Sequence, residues 1–180
     1  MMLAAFAKAS ITFNNPAFLD EAIQTVSFVK DNLYKNNKLF RQYRAQNAST
    51  EATLSDYAWV IYGLLEVYQA SNDKKWLNWA IELHEKQNEL FLDKVSGAYF
   101  ESAANDANLL FRSKSIYDNA LPSANAIALS NLRKLSKLSN KASQKKDYSS
   151  HADKLVSSFA MVINQNPAAA STLLSIEVKQ

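Results

Sequence analysis

Two stretches of the chain, Tyr57 to Leu65 and Ala124 to Leu129, are apolar on every side. A helix of that pattern must be covered all round by other structure. Around them lie segments whose apolar residues fall on a single stripe: Phe18, Leu19, Ala22, Ile23, Val26, Val29 and Leu33; then Trp76, Leu77, Ala80, Ile81 and Leu83; then Ala152, Leu155, Val156, Phe159 and Ile163. A pair made of one inner and one outer helix cannot bury its own inner member, so several such hairpins must stack side by side. The fold class that follows is all-α, an α/α hairpin array of about three and a half hairpins, arranged as an open solenoid or as an arc of a closed α/α toroid. The whole chain, residues 1–180, reads as one such partial domain.

The repeat aligns residue by residue. Phe18, Ala22 and Ile23 match Trp76, Ala80 and Ile81 at a spacing of 58, and Tyr148 and Ala152 follow Trp76 and Ala80 at a spacing of 72. The shared element is an aromatic near the start of each outer helix, with alanine four residues on, where a neighbouring backbone can approach. Helix starts are marked by Asn15-Pro16, by Thr53 or Ser55, by Asp73 and by Asn166-Pro167, the last opening a final helix over Ala168 to Val178. Only 2 glycines occur in 180 residues. Average usage of roughly 7% would supply about a dozen, so the composition argues against many β-turns and against a phosphate-cradling loop.

Other classes fall away on composition. With no cysteine and 2 histidines, the chain has no disulfide framework, no thiolate zinc site and little material for a histidine-based metal site or catalytic triad. No metal and no cofactor is expected. The longest apolar run, around Val60 to Leu65, is too short for a bilayer, so no membrane association is expected. Met1 to Ala9 lacks the basic lead and cleavage site of a secretory signal, which makes a cytoplasmic location the expectation. It also opens inside a helix pattern without a cap, which suggests a missing upstream portion. Charge is uneven: Arg112 to Lys154 holds nine Lys and Arg against three Asp, leaving the remainder at −3. Without interleaved aromatics this reads as a solvated basic face, and no nucleic-acid partner is expected.

The segment Leu92 to Lys114 breaks the short-turn rule for hairpin arrays. Ser96 to Glu101 contains one of the two glycines and alternates enough for a small β-hairpin arm, with Leu109 to Arg112 as its partner strand. A long loop of this kind usually lies at the functional face.

Several motifs resemble a known family. They are Ser55-Asp56-Tyr57-Ala58, Gly63-Leu64-Leu65-Glu66-Val67-Tyr68, Arg112-Ser113-Lys114, and Tyr117-Asp118-Asn119-Ala120-Leu121-Pro122-Ser123-Ala124-Asn125. In order and spacing they resemble the proteins that join a thioredoxin-like domain to a six-hairpin α/α toroid, the spermatogenesis-associated type. That toroid is similar to those of N-acylglucosamine 2-epimerase, cellobiose epimerase and six-hairpin glycosidases. Met2 to Ala7 and Phe40 to Arg44 resemble further parts of it. Where the family has two glycines in its most specific motif, this chain has Asn119 and Ala124.

The resemblance implies inner helices whose N-termini gather at one mouth. Asp56 and Tyr57 then sit at one N-terminus, Tyr117, Asp118, Ser123 and Asn125 at the next, with Arg44, Arg112 and Lys114 from the loops. Carboxylates, hydroxyls, an amide and tyrosine faces suit a small sugar ligand, and a general acid/base pair needs two carboxyl groups on one substrate. Asp56 and Asp118 are the catalytic candidates, Glu101 a third. Substrate-binding candidates are Arg44, Tyr57, Arg112, Lys114, Tyr117, Ser123 and Asn125. Each has a structural reading too: an aspartate at a helix N-terminus serves as a cap, and Arg112 and Lys114 serve as loop braces. Tyr99 and Phe100 are a stacking platform or core packing. His84 and His151, on outer helices, are packing or surface residues, and Trp59, Trp76 and Trp79 are core. The functional expectation is a carbohydrate-binding or carbohydrate-metabolic module; as an enzyme it would be epimerase-like or glycosidase-like. The alternative is a non-catalytic scaffold. In either case an incomplete ring implies a homo-oligomer or pairing with the missing portion.

Overall fold

The computed structural model describes residues 1–104 and 110–178. By internal packing the chain divides into two compact units, Met1–His84 and Glu85–Gln180.

In the first unit, α1 (Met2–Thr12) packs on α2 (Pro16–Phe28) and on α3 (Leu54–Ser71). Asn15 and Pro16 act as their residue types dictate: the Asn15 side chain accepts the Ala17 N–H at 3.0 Å, and Pro16 opens the helix. The close approach of α1 to α3 is set by Gly63, where a Cβ would lie 2.6 Å from Leu3 Cδ2. Helix α3 is buried along most of its length, through Leu54, Tyr57, Ala58, Ile61, Leu64, Leu65 and Val67. It begins at a capping box in which Thr53 and Asp56 satisfy each other's backbone N–H. Between α2 and α3 run a π-helical turn, Val29–Leu33, and a three-stranded antiparallel sheet, β1 (Tyr34–Lys35), β2 (Lys38–Arg44) and β3 (Asn47–Glu51).

This sheet is where the small β-arm lies, and it corrects the expected position at Ser96 to Glu101. Its tight turns are made without glycine: Asn36 and Asn37 adopt φ of 51° and 60°, Ala45 and Gln46 φ of 49° and 60°. Two left-handed residues between paired ends match the natural strand twist.

Helix α4 spans Lys74–Phe91. In the second unit α5 (Ala124–Leu138) packs against α6 (Ala142–Ser158) and against α8 (Ser171–Val178). The expected stripe from Ala152 to Ile163 is interrupted at Phe159, which separates α6 from the short α7 (Ala160–Gln165). The expected final helix is likewise divided into a 3-10 turn, Pro167–Ala170, and α8. The carbonyl of Ala169 accepts the Asp118 N–H at 2.8 Å, tying this turn to the loop before α5. Between α4 and α5, Ser96 and Gly97 form part of a turn and Leu92 makes an isolated bridge with Tyr99. Leu110 to Arg112 is not strand, and Leu109 lies outside the described residues.

The repeat positions behave alike: Ala22, Ala80 and Ala152 are each wholly buried. Among the described residues no helix is long and apolar enough to cross a membrane.

Candidate functional site

In the second unit, six of the candidate site residues, Arg112, Lys114, Tyr117, Asp118, Ser123 and Asn125, fall on one hydrogen-bonded segment leading into α5. Asn125, on the first turn of α5, is fully buried. Its Oδ1 accepts the Tyr99 N–H at 2.9 Å, while Nδ2 donates to the Tyr99 carbonyl at 3.0 Å and to the Ser115 carbonyl at 2.9 Å. Both amide protons are therefore occupied, and Asn125 acts on the loop backbone. Ser115 also offers its Oγ to the Tyr117 N–H at 3.1 Å. Burial raises the Glu101 carboxyl above the usual range, against a smaller opposing effect of the nearby Ser115 backbone.

Asp118 caps two helices at once. Oδ1 accepts the N–H of Ser123, the N-cap residue of α5, at 2.8 Å; Oδ2 accepts the Thr172 N–H at 2.7 Å and the Ser171 hydroxyl at 3.1 Å, at the start of α8. Partial burial pushes its carboxyl upward, but the donors on Thr172, Ser123 and Ser171 outweigh that effect and hold it below the ordinary carboxylate range. Two helix N-termini carry partial positive charge toward it, which works in the same direction. Ser123 in turn accepts the Ala126 N–H at 3.3 Å. Asn119 and Ala124 are not among the positive-φ residues, so this loop geometry is open to L-residues.

Arg112 and Lys114 brace the same segment. Arg112 Nε and Nη2 donate to the Ser102 carbonyl at 2.9 and 2.7 Å, and Nη2 reaches the Leu90 carbonyl at 3.0 Å. Lys114 Nζ meets Asp93 Oδ2 at 2.5 Å and Ser96 Oγ at 3.1 Å. Both cations lie over the Phe100 ring, at 4.0 and 5.0 Å from its centroid. Asp93 is well below the ordinary carboxylate range, held there chiefly by the Lys114 and Ser96 hydrogen bonds. Two aromatic rings on the segment face water, Phe111 at 78% and Tyr117 at 51% exposed, beside the exposed aliphatic Leu110 and Leu121.

In the first unit, Asp56 Oδ2 accepts from the Thr53 N–H at 2.8 Å and the Thr53 hydroxyl at 2.9 Å, with Arg41 Nε at 3.6 Å. Tyr57 is buried, and its hydroxyl oxygen accepts the Leu39 N–H at 3.1 Å, tying α3 to β2. Arg44 closes β2 opposite Asn47 and is exposed. On the same sheet a cavity of about 270 Å³ is lined by Asn32, Phe40, Tyr43, Gln46 and Asn47, among others.

The reasoning from sequence did not single out Ser115, Ser171 or Thr172, each a backbone or hydroxyl partner of a named residue. Asn125 carried a usable signal, as an amide inside a helix apolar on every side.

No family model matches the chain. Human spermatogenesis-associated protein 20 is 32% identical over 146 residues, covering 75% of this chain and 19% of the relative. The chain thus spans about a fifth of the length of the curated relatives it matches. Among solved structures, the cellobiose 2-epimerase from Spirochaeta thermophila superposes with a TM-score of 0.66 at 19% identity, over 88% of this chain and 42% of that one. A family 76 glycoside hydrolase from a bovine Bacteroides thetaiotaomicron strain gives 0.67 at 14% identity, over 87% and 33%. At those identities the likeness is one of fold, that of the α/α toroids.

Proposed function

The chain is a homologue of spermatogenesis-associated protein 20 over 75% of its length, and we propose that it contributes a saccharide-binding surface of an α/α toroid at the loop leading into α5. One observation carries the reading: a loop fixed through Asp118 and Asn125 leaves the Tyr117 ring half-exposed. A rigid aromatic face beside polar groups is a surface on which a sugar ring can lie at low entropic cost. The structural neighbours, a cellobiose 2-epimerase and a family 76 glycoside hydrolase, support the same class of ligand.

Within this proposal the candidates divide by role. Tyr117 faces the ligand, and in the first unit Arg44 is the exposed candidate. Asp118, Ser123, Asn125, Asp56 and Tyr57 are positioning residues, because their polar atoms are engaged by backbone. Arg112 and Lys114 brace. If the surface is catalytic, Glu101 suits a general acid better than Asp118 does: burial holds the first toward protonation, while hydrogen bonds hold the second ionised.

The test is a titration of the labelled chain with glucose and cellobiose, followed by the amide shifts of Tyr117 to Asn125. Saturable shifts at millimolar sugar, lost in Tyr117→Ala with the fold retained, are expected. Absence of shifts leaves the scaffold reading in its place.

A further inference from the structure

The second unit carries a cavity that the loop described above does not use. Its volume is about 380 Å³, and it lies between α6 and the turn that follows α4, lined by Leu92, Lys94, Gly97, Asp147, Ser150, His151 and Lys154. That volume falls in the range of small-molecule sites. We infer that this cavity binds a small organic phosphate, its phosphoryl group held by Lys94, Lys154 and Ser150 and its carbon body against Leu92.

The walls are built rather than incidental. The turn is fixed by Asp93, whose Oδ1 accepts the Val95 N–H at 3.0 Å and whose Oδ2 accepts the Ser96 hydroxyl at 2.8 Å; the Gly97 N–H returns to the Asp93 carbonyl at 2.8 Å. Gly97 has a φ of +81°, and a Cβ there would lie 2.7 Å from Lys154 Cβ. One of the chain's two glycines thus lets the turn backbone rest directly on α6. His151 locks the same approach, since its Nε2 lies 3.0 Å from the Gly97 carbonyl oxygen. A carbonyl only accepts, so Nε2 carries the proton.

Charge selects the ligand. Neither Lys94 nor Lys154 is within ion-pair distance of a carboxylate among the described residues. Burial lowers the His151 pKa, opposed by the Gly97 bond and reinforced by the nearby Lys154 ammonium, so the surroundings disfavour a charge on the imidazole. The lining therefore carries two cations and one anion, Asp147. Two ammonium point charges beside a serine hydroxyl suit a phosphoryl dianion, and Asp147 can accept hydrogen bonds from hydroxyls on the carbon body. The cavity is far larger than an inorganic anion requires, and Leu92 gives apolar surface to an organic one.

The experiment titrates the full chain, isotope-labelled, with inorganic phosphate and with phenyl phosphate at constant ionic strength, reading His151 ring and Ser150 to Lys154 amide resonances. Saturable shifts are expected for both probes, phenyl phosphate binding about tenfold tighter through its buried ring. A bound dianion should raise the His151 pKa, which is faced by Lys154, Lys94, Asp147 and Tyr99. The double variant Lys94→Gln with Lys154→Gln alters exposed side chains and should weaken binding at least about tenfold. Shifts reproduced by sodium chloride, or unchanged in the double variant, overturn the site. Equal affinity for the two probes overturns the organic ligand.

Discussion

Asn125 and Tyr99 form a two-point backbone clamp: the Asn125 side chain accepts the Tyr99 N–H at 2.9 Å and donates to the Tyr99 carbonyl at 3.0 Å, 26 residues away in sequence. Both residues are fully buried, so neither bond can be exchanged for water. Asn125→Leu should destabilise the chain by about 3 kcal/mol, the cost of leaving the Tyr99 peptide and the Ser115 carbonyl unmet. Asn125→Asp should cost more at neutral pH, because a buried carboxylate cannot donate to either carbonyl. Denaturant unfolding of the three proteins measures both. A loss below about 1 kcal/mol in both variants would show that the clamp is not holding the loop.

The double cap made by Asp118 predicts a pH dependence. Its folded pKa lies below the ordinary carboxylate value, so it contributes stability that is present above about pH 3.9 and is lost as pH falls through the folded value. The amide resonances of Ser123 and Thr172, which donate to opposite oxygens of this carboxylate, should titrate together. Asp118→Asn should flatten that titration. Independent midpoints for the two amides would separate the caps.

Helix periodicity made the all-α array, the outer-helix stripes and the buried alanines legible, because each follows from side-chain pattern alone. The α5 loop was legible as a place, through its motif, but the roles of its residues were not. Whether Asp118 faces a ligand or two helix N-termini depends on α8, which lies 53 residues away at Ser171, and no local pattern shows that. The β-arm was misplaced for a related reason. Scarcity of glycine argues against many β-turns, yet Asn36-Asn37 and Ala45-Gln46 adopt left-handed backbone without it. Asn-Asn was a readable signal, whereas Ala-Gln is held in that conformation by the strands on either side.

Gly63 is predicted to be required by Leu3. A methyl group there would lie 2.6 Å from Leu3 Cδ2 and 2.8 Å from Cγ, so Gly63→Ala should cost about 1–3 kcal/mol. In a Leu3→Ala background the obstruction is gone, and the same substitution should become neutral or favourable through helix propensity. A double-mutant cycle by denaturant unfolding reads the coupling. Additive effects would show that the two helices can separate to admit the methyl.

The turn between β2 and β3 carries removable strain. Ala45 and Gln46 occupy the left-handed region with φ of 49° and 60°, between the paired residues Arg44 and Asn47. For an ordinary L-residue that conformation costs roughly 1–2 kcal/mol, and a two-residue hairpin of this kind favours Asn-Gly. Replacing Ala45→Asn and Gln46→Gly together relieves both positions, although the new glycine also gains freedom in the unfolded chain, which offsets part of the benefit. The net expectation is stabilisation of about 1 kcal/mol, seen as a higher denaturant midpoint with an unchanged slope. Both side chains sit at the tip of an exposed hairpin, so no core contact is lost to confuse the reading. A lower midpoint would mean that the strands dictate this turn without strain, and that Gln46 makes a contribution at the sheet cavity it lines.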